Sequence, residues 1–120
     1  MIKELLKVAA SRIIIDARTN QISIIDVFEG FKSQSFPIVI PNIAFLFYLQ
    51  KDSTQPDKYE MTLKYSIDNT KMLEVPVNVD FQQSNTTRAI VGIEGFVISK
   101  AGQMIIQLLH NEELIGQLEF

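Results

Sequence analysis

Residues 10–50 read ASRIIIDARTNQISIIDVFEGFKSQSFPIVIPNIAFLFYLQ, and the strongest strand signals of the chain lie here. Two isoleucine-rich runs flank a polar turn at residues 18–21. Branched side chains pack well on a pleated surface, and Asn20 in the turn tolerates a left-handed backbone. The stretch therefore predicts a β-hairpin with strands over residues 6–17 and 22–28.

The first ten residues support two interpretations. Ile2, Leu5, Leu6 and Ala9 recur at helical spacing, and this period is typical of an amphipathic helix. A short N-terminal helix therefore competes with an extension of the first strand.

An apolar run at residues 43–49 follows two prolines, Pro37 and Pro41. Proline cannot donate to a central ladder, so residues 37–41 are predicted to form an edge, a bulge or a corner. The run itself predicts a central strand with protein against both faces. The alternative is an exposed dimerisation surface, made of Phe45, Phe47 and Leu49 or of Ala44, Leu46 and Tyr48.

Phe28, Phe31 and Phe36 are spread through the loop that precedes this run. One interpretation is an aromatic binding platform. The other, which we favour, is that the rings close an open end of the core, because aromatic side chains bury large areas.

Alternation of apolar and polar residues is clearest over residues 59–68 and 73–82. A period of two predicts antiparallel strands with one buried and one solvated face. Pro76 indicates that the second of these strands is an edge strand, or at least that its amide position is unpaired there. Residues 88–99 are also apolar, but Gly92 and Gly95 interrupt the alternation and indicate a bulge or a close backbone approach.

Further short strands are predicted over residues 104–109 and 114–120. Seven to eight mostly antiparallel strands with frequent turns are typical of a β-sandwich or barrel. At 120 residues the chain is predicted to form one domain over residues 1–120. The predicted fold class is all-β, a single sandwich.

Composition excludes several classes of protein. The net charge is −3 and the eleven Lys and Arg are scattered, so no basic patch indicates a nucleic-acid partner. The absence of cysteine removes disulfides and thiolate chemistry. No apolar run approaches the roughly 20 residues that span a bilayer, and no secretion signal is present. We expect a cytoplasmic protein.

Residues with catalytic or metal-binding chemistry are sparse. His110 is the one histidine, and its predicted position is a solvated turn. Asp16 and Asp26 end the two strands of the first hairpin and are a candidate carboxylate pair, but acids more often terminate strands or protect edges. Asp52, Asp57 and Asp68 lack the spacing of a calcium loop. We expect no enzyme activity, no metal and no cofactor.

Three parts of the chain carry a resemblance to a known family. They are the hairpin from Ile13-Ile14-Ile15-Asp16 to Ile24-Ile25-Asp26-Val27-Phe28, the Ser35-Phe36-Pro37 segment, and the ending from Ala101-Gly102-Gln103 to Leu114-Ile115-Gly116. The chain resembles a family of small bacterial proteins of unknown function. That resemblance implies an immunoglobulin-like sandwich over nearly the whole chain and brings no established activity.

The sequence favours a non-catalytic protein-interaction or assembly module, which binds a partner or itself through a sheet edge or face. The alternative is a module that binds a small ligand or carbohydrate at the Phe28–Phe36 loop together with Tyr48 or Tyr59. The residues assigned to a possible interaction surface are Phe28, Phe31, Phe36, Phe45, Phe47 and Pro76.

Overall fold

The computed structural model describes residues 2–33 and 35–120. All regular structure in these residues is β-strand, in agreement with the all-β prediction, and no helix occurs among them. The strands are β1 (Lys3–Ile15), β2 (Ile22–Val27), β3 (Ile38–Gln50), β4 (Lys58–Ile67), β5 (Thr70–Asp80), β6 (Thr86–Ile98), β7 (Met104–His110) and β8 (Glu113–Glu119).

Two four-stranded sheets share these strands. The first sheet has the order β2-β1-β3-β6 and the second has the order β5-β4-β7-β8. Every neighbouring pair is antiparallel. β1 approaches β8 and β6 approaches β5, so the two sheets face each other as the layers of a sandwich.

The predicted N-terminal helix is wrong, because these residues belong to β1. Lys3 to Ala10 pair with Gln50 to Ala44 of β3, and the register shifts between Glu4 and Leu6. This register shift explains why the apolar residues recur at a helical spacing, since an irregular strand no longer alternates with a strict period of two. Pairing with a distant strand outweighs the local helical pattern.

Side chains from both sheets form one core. Phe45 and Phe47 of β3, Phe81 after β5, and Phe96 of β6 are its largest fully buried rings. Phe45 and Tyr65 both contact Phe96, with ring centroids 5.8 and 4.5 Å away. The aromatic rings therefore join residues of both sheets in one continuous cluster.

β3 is covered on both faces, as the sequence predicts for residues 43–49. Phe45 and Phe47 face the second sheet within the main core cluster. Ala44 and Leu46 lie outside that cluster but are also buried, and Leu46 has no exposed surface. Another part of the chain must therefore cover the outer face of the first sheet.

The β1–β2 hairpin provides this cover. β1 pairs with β3 only as far as Ala10, and its remaining residues pair with β2. Beyond Ala10, Ser11 and Ile13 lie beside Ala44 and Ile90 around one depression. The turn of the hairpin reaches β6, where the Arg88 guanidinium donates a 2.7 Å hydrogen bond to the Asn20 carbonyl oxygen. The hairpin is thus a partial third layer over β3 and β6.

Halfway along the ladder that pairs β3 with β6, the alternation of inward and outward side chains shifts by one residue in both strands. The inward residues of β3 step from Ile40 to Ile43, and those of β6 step from Ile93 to Phe96. Each step spans three residues instead of two, yet the pairing register does not shift. Pro41 and Gly95 lie within these steps, and Gly95 has a φ of 65°. The predicted corner at Pro41 and the interrupted alternation near Gly95 are the same feature.

Two tight turns close the hairpins of the second sheet. Asp68 and Asn69 connect β4 to β5, and Asn111 and Glu112 connect β7 to β8. All four residues have positive φ, as the two-residue type I′ turn requires. The sequence predicts turns at both places, and their left-handed backbone matches the twist of the flanking strands.

Candidate interaction surface

The three rings of the Phe28–Phe36 loop pack against the core instead of standing out from the surface. Phe28, Phe31 and Phe36 are half-buried against the main cluster. The ring of Phe31 lies 5.0 Å from that of Phe28 and 5.3 Å from that of Phe120. Only a small cavity of about 90 Å³ remains beside Phe31 and Phe36. This arrangement agrees with the rings closing one end of the sandwich.

Phe45 and Phe47 cannot form a docking surface on the folded chain. Both side chains have 0% exposed area and lie between the two sheets. Their alternative assignment to a dimerisation surface is wrong, because β3 is interior and its second face is covered by the hairpin.

Pro76 lies on β5, which is an edge strand of the second sheet as predicted. Pro76 is opposite Thr62 in the ladder. Proline has no amide hydrogen for β4, so its nitrogen faces the open edge, and the backbone groups of Asn78 and Asp80 face the same way. The Asp80 carbonyl oxygen accepts a 3.2 Å hydrogen bond from the Thr87 hydroxyl of β6. Pro76 and Thr87 thus interrupt the row of backbone groups that this edge offers to another strand.

The sequence interpretation missed the outward face of the β1–β2 hairpin. The register places Arg12 opposite Ile25 and Ile14 opposite Ser23. Ile14 and Ile25 are 43% and 38% exposed. We call the surface formed by these four residues the hairpin face. A signal was present, because both alternating sets of side chains in this hairpin are apolar although only one set can face the sandwich.

The outward face of the second sheet is different in character. It presents polar side chains on neighbouring strands, and Gln107 of β7 donates a 3.0 Å hydrogen bond to Gln117 of β8. Lys64 and Glu74 are opposite each other on β4 and β5. The exposed large apolar side chains of this sheet, Met72, Leu73 and Leu114, lie on its two opposite edge strands and so do not form one patch.

Asp26 interrupts the free edge of the hairpin. Its φ is 57°, which is uncommon for a residue inside a strand. An irregularity of this kind blunts an edge against the addition of another strand. The hairpin therefore offers its face for docking, and its edge is poorly suited to extend the sheet.

The turn of the hairpin is well ordered by local hydrogen bonds. The Asp16 carboxylate accepts hydrogen bonds from the backbone amides of Arg18 and Thr19, at 2.8 and 3.2 Å. These two bonds lower the pKa of Asp16 below its usual value because they stabilise the charged form. Asp16 is thus a turn residue. Asp26 lies near the far end of β2, so the candidate carboxylate pair is not brought together.

An ion pair with one buried partner lies directly after the end of β3. The Lys51 side chain is only 4% exposed, and its ammonium lies 3.1 Å from Asp57 and donates a 3.1 Å hydrogen bond to the Gln55 carbonyl oxygen. Asp57 also accepts a 2.8 Å hydrogen bond from the Gln83 amide. The Gln83 amide and Lys51 lower the pKa of Asp57. The cluster ties two loops together and leaves Asp57 without the open coordination of a calcium ligand.

His110 ends β7 and packs against Tyr59, with ring centroids 5.1 Å apart. Within residues 2–33 and 35–120, no group of three His, Cys, Asp or Glu side chains is arranged to hold a metal ion. The same residues include no long apolar helix of the kind that spans a membrane.

Two packed antiparallel sheets, with a hairpin folded over one of them, define an all-β sandwich protein. The chain belongs to DUF6941, a family of unknown function whose profile matches residues 9–120. This agrees with the resemblance to a family of unknown function. No curated protein matches the chain.

Proposed function

We propose that this protein is a non-catalytic interaction module that docks onto another protein through the hairpin face. The observation that carries the proposal is the exposure of Ile14 and Ile25 on one side of a two-stranded hairpin. Exposed apolar side chains that share one face, with polar neighbours, are characteristic of protein-interaction sites.

Charge on the hairpin face indicates what kind of partner fits. Arg12 is the charged residue among the four that form the face, and it lies opposite Ile25. Two copies docked face to face would bring like charges together, which is unfavourable. The proposed partner is therefore a different protein that presents an apolar surface with an acidic group opposite Arg12.

We also propose an immunoglobulin-like arrangement for the sandwich. The order β1-β3-β6 in one sheet and β8-β7-β4-β5 in the other supports it, because immunoglobulin-like domains pair strands A-B-E and G-F-C in this way. In this arrangement β2 is an addition at the edge of strand A, and the hairpin face is built on that addition.

Capture from the source cells at native expression tests the proposed docking, with the full chain as bait. Ile25→Lys places a charge in the hairpin face, whereas Leu114→Lys places one at a residue that is 51% exposed on β8 of the other sheet. We expect wild type and Leu114→Lys to retain the same stoichiometric partner and Ile25→Lys to lose it. Thermal unfolding of both variants checks that they remain folded.

Equal retention of the partner by the two lysine variants would contradict docking at the hairpin face. Light scattering on the purified wild type separates a different protein from a second copy. We expect a monomer, and a dimer that Ile25→Lys dissociates would show that the face binds itself in spite of Arg12.

A further inference from the structure

A cleft of about 650 Å³ lies where the two sheets meet beside the turn of the hairpin. Its walls come from β5 and the loop after it, from the first half of β6, and from Ile15 and Asn20 of the hairpin. Its volume is within the roughly 300–1,000 Å³ that is usual for small-ligand sites. It is separate from the hairpin face, so an occupant here goes beyond the proposed docking function.

The hairpin side of the cleft is held in place by Arg88. Its guanidinium donates hydrogen bonds to the carbonyl oxygen and the side-chain oxygen of Asn20, at 2.7 and 3.4 Å. In the part of the chain that the structure describes, no carboxylate forms an ion pair with Arg88. The cation is therefore positioned by neutral groups at the boundary of the cleft.

The two sides of the cleft differ in chemistry. The side formed by the hairpin, β3 and β6 includes the apolar Ile15 and Ile90 and the half-buried Tyr48, next to the polar Asn20 and Arg88. The β5 side presents amide, carboxylate and hydroxyl groups, including Asn78 and Asp80. Amides and hydroxyls both donate and accept hydrogen bonds. A ligand that fits both sides has an apolar face and a rim of hydroxyl groups.

The charges in the cleft favour a neutral ligand over an anion. Arg88 and Asp80 line the same cleft, so one positive and one negative group offset each other. An extended peptide is also disfavoured, since Pro76 and the bond from Thr87 to Asp80 interrupt the row of free backbone groups on the β5 edge that strand addition requires.

We propose that this cleft binds a neutral saccharide. The C–H face of a sugar ring would lie against Tyr48 and its apolar neighbours, because aromatic side chains combine a large apolar surface with a polar end. The sugar hydroxyls would exchange hydrogen bonds with Asn78 and the groups beside it. The Phe28–Phe36 loop has no part in this site.

The test is an NMR titration of the full chain with a panel of neutral disaccharides and their uronic-acid counterparts. At least one neutral disaccharide is expected to shift the amide signals of Asn78, Thr86 and Thr87 saturably. Tyr48→Leu keeps an apolar side chain without the aromatic face and is expected to weaken binding about three- to tenfold, since aromatic contacts contribute roughly 0.5–1.5 kcal/mol.

Asn78→Ala should weaken binding as well, whereas Glu74→Ala on the same strand is the matched control outside the cleft and should not. Three results would overturn the proposal: no saturable shift with any neutral disaccharide, equal binding by Tyr48→Leu and wild type, or tighter binding of the uronic acids. Partner capture by the hairpin face is measured separately, so failure of one proposal leaves the other standing.

Discussion

Tyr65 is a single residue that connects the two sheets. It lies on β4 and is 3% exposed, and its hydroxyl donates a 3.0 Å hydrogen bond to the carbonyl oxygen of Val97 on β6. Burial raises the pKa of Tyr65 to about 12, because an apolar surrounding disfavours the phenolate. The hydroxyl therefore remains protonated, and remains a donor, at pH values where an unfolded tyrosine has already ionised.

Tyr65→Phe removes this bond and leaves the ring in place. We expect a loss of about 1 kcal/mol in the free energy of unfolding, the usual net value for one hydrogen bond. Urea denaturation at neutral pH measures it. A loss near zero would show that water satisfies the Val97 carbonyl oxygen equally well.

The same variant also changes the alkaline stability. Above pH 10 the unfolded chain loses the Tyr65 proton while the folded chain keeps it, so wild-type stability falls as pH rises towards about 12. Tyr65→Phe lacks this contribution and should fall less steeply over that window in denaturation curves at successive pH values. Parallel slopes for the two proteins would contradict the raised pKa.

The alternating pattern of residues 59–68 predicts that Tyr65 points inward, and this is confirmed. The hydrogen-bond acceptor of Tyr65 could not be predicted, because it is a backbone carbonyl oxygen, a group that every residue has. Leu73 departs from the pattern on β5 and is 36% exposed. The register of β4 and β5 shifts between Tyr65 and Ser66, and such a shift cannot be read from alternation alone.

At the scale of elements, the β1–β2 hairpin is the least ordinary part of the fold. An isolated two-stranded hairpin is only marginally stable in water. The underside of this one lies beside Ala44 of β3 and Ile90 of β6, and its turn is fixed by Arg88. The outer face of the first sheet thereby becomes a second, smaller apolar interior.

Leu46→Ala tests whether the hairpin packs against the outer face of the first sheet as tightly as the second sheet packs against its inner face. We expect a loss of about 2–5 kcal/mol in the free energy of unfolding, as for a leucine in a packed core. The matched control is Leu114→Ala at an exposed leucine, which should change stability by less than about 0.5 kcal/mol. Similar small losses for both variants in urea denaturation would mean that the hairpin lies loosely over β3.

The sequence predicts both strands of this hairpin and its turn, because isoleucine runs and turn residues are local signals. It does not predict where the hairpin goes. The contact that fixes the turn joins Asn20 to Arg88, which are 68 residues apart. Local periodicity contains no information on such a pairing, so the cleft beside the hairpin could not be predicted, whereas the hairpin face was missed although its two apolar sets of side chains indicated it.

The whole molecule is longer than a compact chain of its size. Its radius of gyration is 14.9 Å, with extents of 48, 34 and 19 Å, whereas about 13.6 Å is expected for a compact domain of this length. Three strands of 13 residues, β1, β3 and β6, account for the long axis. The shape follows from long strands and not from separate domains.

One shared core should make the two sheets unfold together. Phe47→Ala in the first sheet and Leu108→Ala in the second each remove a side chain with no exposed area. We expect losses of about 3–5 and 2–5 kcal/mol. In urea, both variants should show a single transition with the wild-type m value. A split transition in either variant would show that one sheet survives without the other.

The number of strands and their approximate positions follow from the sequence, but their order in the two sheets does not. β3 pairs with β6 and β4 pairs with β7, so strands distant in the chain lie side by side. Pro76 correctly marked an edge because its chemistry is local. The choice between a sandwich and a barrel depends on which edges close, and no single residue decides that.

The shift in side-chain alternation that β3 and β6 share limits how this chain can vary in length. Between Ile40 and Ile43, and between Ile93 and Phe96, each strand carries one additional residue. Deleting a residue from one strand alone would turn every side chain beyond it to the wrong face, since neighbouring positions point in opposite directions. Deleting one from each would restore both the register and the core. Insertions and deletions in this ladder therefore preserve both the register and the core when they occur in matched pairs, although the two positions lie more than 50 residues apart along the chain.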